Sequence, residues 1–286
     1  MANKIKIAGV MRDPRYSPNS VEKDSAIFRD VIEELHKNNV ITEIYREEDL
    51  LKKDLNYPLI FHLCRKNESV LKLKEIEKSG KKVINPPEGI ENCGRVKMVT
   101  IMKHYQIPIP ESIIIHTEDF NKVKDETLSE YWVKRGDESS QNREDVVLCH
   151  NKEDIQAALK ALKKRGIDTA VISRNIDGDL VKFYGVTGTS FFYWFYPYEV
   201  DHFKFENEKL IESQPSRFTF NQYELKELAE RTAKLLNLKV YGGDCIIDRE
   251  GIIRIIDFND WPSFSPCRQE AAKSICDLII SSLKEL

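Results

Sequence analysis

The chain has 286 residues, enough for one large domain or two to three small ones with a sizeable core. Lys plus Arg number 44 and Asp plus Glu 47, so the formal net charge is −3, which argues against nucleic acid or an anionic membrane as the main partner. The apolar fraction of 41% is ordinary for a soluble globular protein, and no run approaches the ~20 apolar residues of a membrane span.

The opening MANKIKIAGV reads as a first strand, without the charge pattern of a signal peptide. The polar loop MRDPRYSPNS leads to a helix over Val21–Asn38, with Ile27, Phe28, Val31, Ile32 and Leu35 in one stripe. Val40–Tyr45 and Pro58–Cys64 are strands, Ser69–Ser79 is a helix and Lys82–Asn85 a strand. This alternation predicts a parallel sheet with covering helices, and the loops Arg12–Ser20 and Arg65–Asn67 fall at its carboxyl edge, where such sheets bind ligands. Cys64, Cys93, Cys149, Cys245, Cys267 and Cys276 contain no C-x-x-C pair, so they read as small hydrophobes in a reducing cytoplasm. His62 and Cys64 share a strand face and read as structural.

Pro86–Gly89 marks a subdomain boundary, followed by a helix over Ile90–Tyr105 and a strand over Ser112–His116. Tyr131–Lys134 and Val146-Val147 flank the polar loop Arg135–Asp145. Asn151 caps a helix that Gly166 ends, and Thr169–Ser173 is a strand. Leu180–Val186 leads to an aromatic block from Phe191 to Tyr198 that reads as a buried strand. Asn221 and Glu224 open a helix at capping-box spacing, and Arg268–Lys284 is a closing amphipathic helix. There is no internal repeat.

Between those last two helices lies VYGGDCIIDREGIIRIIDFNDWPSF. It reads as strands Gly243–Asp248 and Ile252–Phe258 around the turn Arg249-Glu250-Gly251. A turn centred on Glu250-Gly251 puts Asp244 across from Asp257, and Asn259 shares a face with Asp257. Facing carboxylates repel unless a cation compensates, and Mg2+ takes oxygen ligands of this kind together with phosphate oxygens. Lys97, Lys134 and Lys182, isolated beside strands or on a helix, are candidate phosphate partners, and the loop GDESSQNRED is a candidate lid.

These features, in this order, resemble the ATP-grasp superfamily over nearly the whole chain. VINPPEGIENCGRVKMVTIMKHYQIPIPES is similar to the segment that carries an ATP-contacting lysine, which falls on Lys97. YWVKRG resembles the strand whose lysine touches the phosphates, here Lys134. AVISRNIDGDLVKFYGV is similar to the hinge strand, which places Arg174 and Asn175 at adenine, Asp177 or Asp179 at the ribose and Lys182 at the basic position. GGDCIIDREGIIRIIDFNDWPSF is similar to the terminal metal-binding block, with Asp244, Asp257 and Asn259 as ligands. The lid is glycine-poor, with Ser140 among the side chains in place of backbone amides; the hinge has Arg174 where Glu is usual, and the metal site has Asp257 for the commoner Glu.

The resemblance implies an α/β fold that is α+β in its C-terminal part. A parallel α/β unit at 1–85 precedes two α+β subdomains at 86–172 and 173–286 that clasp ATP. It implies ATP with one or two Mg2+ ions, or Mn2+ in their place. It also implies small-molecule acid and amine (or thiol) substrates, joined through an acyl phosphate with ADP formed. Lys182 and Arg217 are the candidate catalytic residues, Arg217 for the transferred phosphate or the substrate carboxylate. The rival readings are a small-molecule kinase of the same fold, akin to inositol-phosphate kinases, and a non-catalytic nucleotide-binding module. A homodimer is the default expectation for the assembly.

Overall fold

The computed structural model describes residues 5–17, 20–123, 130–138, 142–200 and 214–285. The strand–helix alternation of the first segment forms a parallel sheet of β1 (Ile5–Met11), β2 (Val40–Arg46), β3 (Leu59–His62) and β4 (Lys82–Ile84), in the order β2-β1-β3-β4. The apolar stripe of α1 (Val21–Lys37) buries Ile27, Phe28, Val31 and Leu35 on one face of this sheet. On the other face lie α2 (Glu47–Lys52) and α3 (Asn67–Lys78), through Leu50, Leu73 and Ile76. The sequence pattern gave no sign of α2, which is only six residues long. It nonetheless carries a useful side chain. Buried Glu47 accepts the backbone N–H groups of Asp13 (2.9 Å), Arg65 (3.1 Å) and Lys66 (2.8 Å), fastening together the two loops at the carboxyl edge.

The helix expected over Ile90–Tyr105 is two, α4 (Pro87–Asn92) and α5 (Arg95–His104), broken at Cys93-Gly94. An antiparallel sheet follows in the order β5-β8-β6-β7, from β5 (Ser112–His116), β6 (Tyr131–Arg135), β7 (Val146–Cys149) and β8 (Thr169–Arg174). The helix α6 (Lys152–Lys164) covers it with Ile155, Leu159 and Leu162. Asn151 caps α6, its side chain accepting from Asp154 N. The strand β8 runs to Arg174, past residue 172 where the sequence suggested a division.

The last sheet is also antiparallel, in the order β10-β9-β11-β12, from β9 (Asp179–Val186), β10 (Phe192–Phe195), β11 (Val240–Ile247) and β12 (Ile253–Asp260). Helices pack on both faces, which makes the strands apolar on both sides there, while Lys182, Asp244, Asp257 and Asn259 line the cleft. Tyr184, Val186 and Val240 pack with α8 (Arg268–Lys284) and with α1. Val181, Phe183, Tyr241 and Phe258 pack with α5 and with α7 (Gln222–Leu235). The aromatic strand β10 lies at the edge: Phe195 is buried, whereas Phe192, Tyr193 and Trp194 are half-buried.

One buried amide joins the first and last sheets. Asn85 donates to Val240 O (2.7 Å) and accepts from Lys239 N (2.8 Å) and Val240 N (2.7 Å). Its backbone carbonyl accepts from His62 Nε2 at 2.9 Å, and His62 Nδ1 accepts from Cys64 N. The imidazole is therefore neutral with its proton on Nε2, and burial pushes its pKa down to about 4. All six cysteines are buried and unbridged. Among the described residues no helix is long and apolar enough to cross a membrane.

Candidate active site

A cleft of about 1340 Å³ opens between the sheets, lined by residues of β6, β9, β11 and β12 and by the first-domain loops. It exceeds the roughly 300–1,000 Å³ of a single small-molecule site, which leaves room for a nucleotide and a further ligand.

The hairpin β11–β12 supplies its acidic centre. Asp244 and Asp257 are register partners, as the sequence predicted, by a route the sequence did not reveal. The turn is held by Asp248, whose Oδ1 accepts from Glu250 N and Ile252 N, with Gly251 at φ +78. Only glycine fits there, because a Cβ would lie 2.5 Å from Thr219 O. The register near the turn is one residue out from the predicted pairing. A bulge between Asp244 and Cys245 takes up Ile256 as an extra residue and restores it. The Ile256 carbonyl then accepts Lys134 Nζ at 3.2 Å. Asn259 Nδ2 lies 3.5 Å from Asp257 Oδ2.

Cations face these carboxylates. Lys182 on β9 is the register partner of Asp244, and its Nζ lies 3.1 and 3.0 Å from the two carboxylate oxygens. Lys134, at the end of β6, is buried. Burial, then repulsion from Arg95, pushes its ammonium down to about 8, against the pull of Asp257 and Asp244. Arg95 is 3% exposed, donates to Arg135 O at 3.1 Å and stands 3.6 Å from Asp257 Oδ2. Its Nε is buried without a hydrogen-bond partner among the described residues.

Of the two cations at the start of this helix, Arg95 and not Lys97 lines the cleft. Lys97 is largely exposed, pairs with Glu91 at 3.1 Å and does not line the cleft. Helix geometry is the reason. Arg95, Met98, Val99 and Met102 are buried at i, i+3, i+4 and i+7, whereas Lys97 is two residues on and faces away. That spacing was the signal in the sequence.

At the other end of the cleft, Arg174 and Asp177 are exposed and line the wall. Asn175 lines it too, but its groups are engaged: N donates to Glu130 O (2.8 Å), Nδ2 to Glu130 Oε2 (2.9 Å), and Oδ1 accepts from Trp132 Nε1 (2.9 Å). Asp179 lines the cleft as well, and its carboxylate is engaged by the protein. It is buried, and its carboxylate accepts Ser216 N (2.6 Å) and Phe218 N (2.8 Å), the amides on either side of Arg217. Arg217 itself is exposed with φ +58. Ser140 lies outside the described residues. The described part of the lid is tied at its base. Gly136 N donates to Thr169 O, Val96 N donates to Gly136 O, and Arg135 pairs with Asp137 and with buried Asp145.

The first-domain loops close the remaining wall with residues the motif reading passed over. Arg12 donates to Leu63 O (2.9 Å), to Asp24 Oδ2 (2.8 Å) and to Asp260 Oδ2 (3.3 Å). Arg65 donates to Asp260 Oδ1 at 2.9 Å. The two guanidiniums hold the buried Asp260 carboxyl below the usual range. Asp260 follows Asn259 directly, so these pairs pin the end of the strand that carries the metal candidates.

Among the described residues no three His, Cys, Asp or Glu side chains gather as a metal site. The candidate set is two carboxylates and an amide. Its hard oxygen donors suit Mg2+ completed by phosphate, and the unpartnered Nε of buried Arg95 fits an anion in the cleft.

No family model and no curated protein matches the sequence. Solved structures do match. A RimK-domain ATP-grasp protein from Sphaerobacter thermophilus is similar at 14% identity and TM-score 0.65, over 96% of this chain and 99% of that one. The ATP-grasp ligase PsnB, solved with its minimal precursor, matches at 14% identity and TM-score 0.60, over 97% and 99%. The chain has the ATP-grasp fold. A D-alanine–D-alanine ligase from Bacillus anthracis is also similar, at 12% identity and TM-score 0.70, over 98% of each chain.

Proposed function

We propose that this chain is an ATP- and Mg2+-dependent ligase that joins a carboxylic acid to an amine or thiol. The observation that carries the reading is the facing pair Asp244–Asp257, with Lys182, Lys134 and Arg95 around it in a cleft of the ATP-grasp fold. Asp244, Asp257 and Asn259 would hold Mg2+, which when bound offsets phosphate charge and polarises the phosphoryl group. Lys134 and Arg95 neutralise the phosphates. Lys182 exchanges its partner Asp244 for a phosphate oxygen. Arg174 and Asp177 border the base and ribose, and the amides of Asn175 fix the hinge beneath them. Arg217, held from both sides by Asp179, receives the transferred phosphate or the acid, and Ser140 belongs to the lid.

The acid's carboxylate oxygen attacks the γ-phosphorus, and the bond to the ADP oxygen breaks. The amine nitrogen then attacks the acyl carbon, inorganic phosphate leaves with the C–O bond pair, and the amine gives up a proton. Positioning and charge neutralisation supply most of the acceleration in the phosphoryl step. The rival reading, a small-molecule kinase akin to inositol-phosphate kinases, is disfavoured because a polyphosphorylated substrate needs uncommitted cations, whereas on this wall Arg12 and Arg65 are paired with Asp24 and Asp260.

The test is calorimetric titration with ATP, with and without Mg2+, of the protein and of Asp257→Asn. Binding that requires Mg2+ and weakens about tenfold or more in the variant, ~1.4 kcal/mol, supports the reading. Equal affinity with and without Mg2+ contradicts it.

A further inference from the structure

The strand β6 presents two rows of side chains. Tyr131 and Val133 pack into the core under α6, whereas Trp132 and Lys134 line the cleft. The cross-strand neighbours of Trp132, Leu148 on β7 and Ser173 on β8, line it as well. Trp132 is half-buried and belongs to none of the four apolar clusters among the described residues. It is a large ring on the cleft wall, about 7 Å along the strand from Lys134. Leu180, Ile246 and Ile256 of the last sheet line the same cleft.

No core packing calls for an indole there, yet its orientation is fixed. Trp132 Nε1 donates to Asn175 Oδ1 (2.9 Å), and Asn175 Nδ2 donates to Glu130 Oε2 (2.9 Å). Glu130 Oε1 lies 2.7 Å from His150 Nδ1. The first hinge amides are spent within the sheet: Arg174 N donates to Glu111 O and Asn175 N to Glu130 O, each at 2.8 Å. The side chain and amide of Asn175, which the motif set at the base, are thus committed to the protein. What this end of the cleft offers a base is the ring they hold. Adenine carries an amino donor where guanine carries a carbonyl acceptor. A site that reads such an edge by hydrogen bonds rejects the wrong base by orders of magnitude, whereas an aromatic face accepts either.

We propose that Trp132 holds the nucleotide base by stacking, with Asn175 and Glu130 as positioning residues that fix its ring, so that the site takes purine nucleoside triphosphates generally rather than ATP alone. The inference rests on the nucleotide part of the ligase reading and widens its substrate class.

The probes are Mg-ATP, Mg-GTP and Mg-tripolyphosphate, which carries the phosphates without base or ribose, measured by calorimetry and tryptophan fluorescence on the full chain. ATP and GTP should bind within about tenfold of each other, and both at least about tenfold tighter than tripolyphosphate. Either nucleotide should quench the emission and tripolyphosphate should not. Trp132→Leu should lose that quench and weaken both nucleotides about tenfold or more while leaving tripolyphosphate unchanged; Trp132→Phe, which keeps an aromatic face, should retain most of the affinity. Asn175→Ala unties the indole and should weaken both nucleotides about threefold, again sparing tripolyphosphate. GTP bound more than about a hundredfold more weakly than ATP, or nucleotide affinity unchanged in Trp132→Leu, overturns the proposal. So does an equal loss for nucleotide and tripolyphosphate in Trp132→Phe, and unchanged affinity in Asn175→Ala overturns the positioning role. Binding with the expected selectivity but no turnover with any acid–amine pair would overturn the ligase reading alone.

Discussion

Lys182 Nζ sits 3.0 Å from Asp244 Oδ2 because the two residues are register partners on neighbouring strands, and it occupies the carboxylate that a metal would need. If Asp244 holds the metal as proposed, ammonium and metal compete for it. Removing the lysine frees the carboxylate, so Lys182→Met should bind Mn2+ more tightly than the parent chain in the absence of ATP, read by electron paramagnetic resonance. The same variant should lose turnover by about a hundredfold, since a phosphate then lacks its partner. Unchanged Mn2+ affinity would show that the pair does not gate the site.

Arg95 and Lys97 are two residues apart and on opposite sides of α5. Arg95→Met is expected to weaken Mg-ATP binding about tenfold or more, since it removes a buried cation beside Asp257. Lys97→Met removes only an exposed pair with Glu91 and should leave ATP affinity within twofold by calorimetry. The reverse order of effects would restore Lys97 to the site.

His62 predicts an acid sensitivity. Its folded pKa of about 4 lies below the unfolded value near 6.5, so the unfolded chain binds the extra proton between those pH values. Its contribution to stability is full above pH ~6.5 and is lost as pH falls toward about 4, by ~3 kcal/mol. Urea unfolding at pH 7 and pH 5 should show about 2 kcal/mol of that fall. In His62→Leu the stability at pH 7 should drop and the slope across the window should flatten.

Asn85, just after β4, satisfies three backbone groups of Lys239 and Val240 at the start of β11. Asn85→Ala strands them where water is excluded, and should lower unfolding free energy by ~3 kcal/mol or more in denaturant titration. Asn85→Asp keeps the acceptor but sets a carboxylate against Val240 O, and should be no better.

Much of this fold is written in periodicity. The α1 stripe, the β9 alternation and the existence of the hairpin follow from local spacing, whereas the Asp244–Asp257 pairing also needs the bulge at Ile256 that the spacing does not show. What escaped was set by tertiary contact. Asp179 looks like a polar residue at a strand start, and only the chain near Arg217 folding over it turns it into an acceptor for two amides. Asp260 reads as one more acidic residue in DFND until Arg12 and Arg65 arrive from the first domain. Arg95 is legible from spacing, since it heads the buried i, i+3, i+4, i+7 face of α5.

The most direct test of the ligase account is phosphorus NMR of the protein with Mg-ATP and a panel of small carboxylic acids, with and without glycine and alanine. The account predicts that some acid–amine pair yields ADP and inorganic phosphate in equal amounts, with neither formed when acid or amine is left out. AMP and pyrophosphate, a phosphate that stays on a product, or no turnover with any pair despite Mg-ATP binding would contradict it.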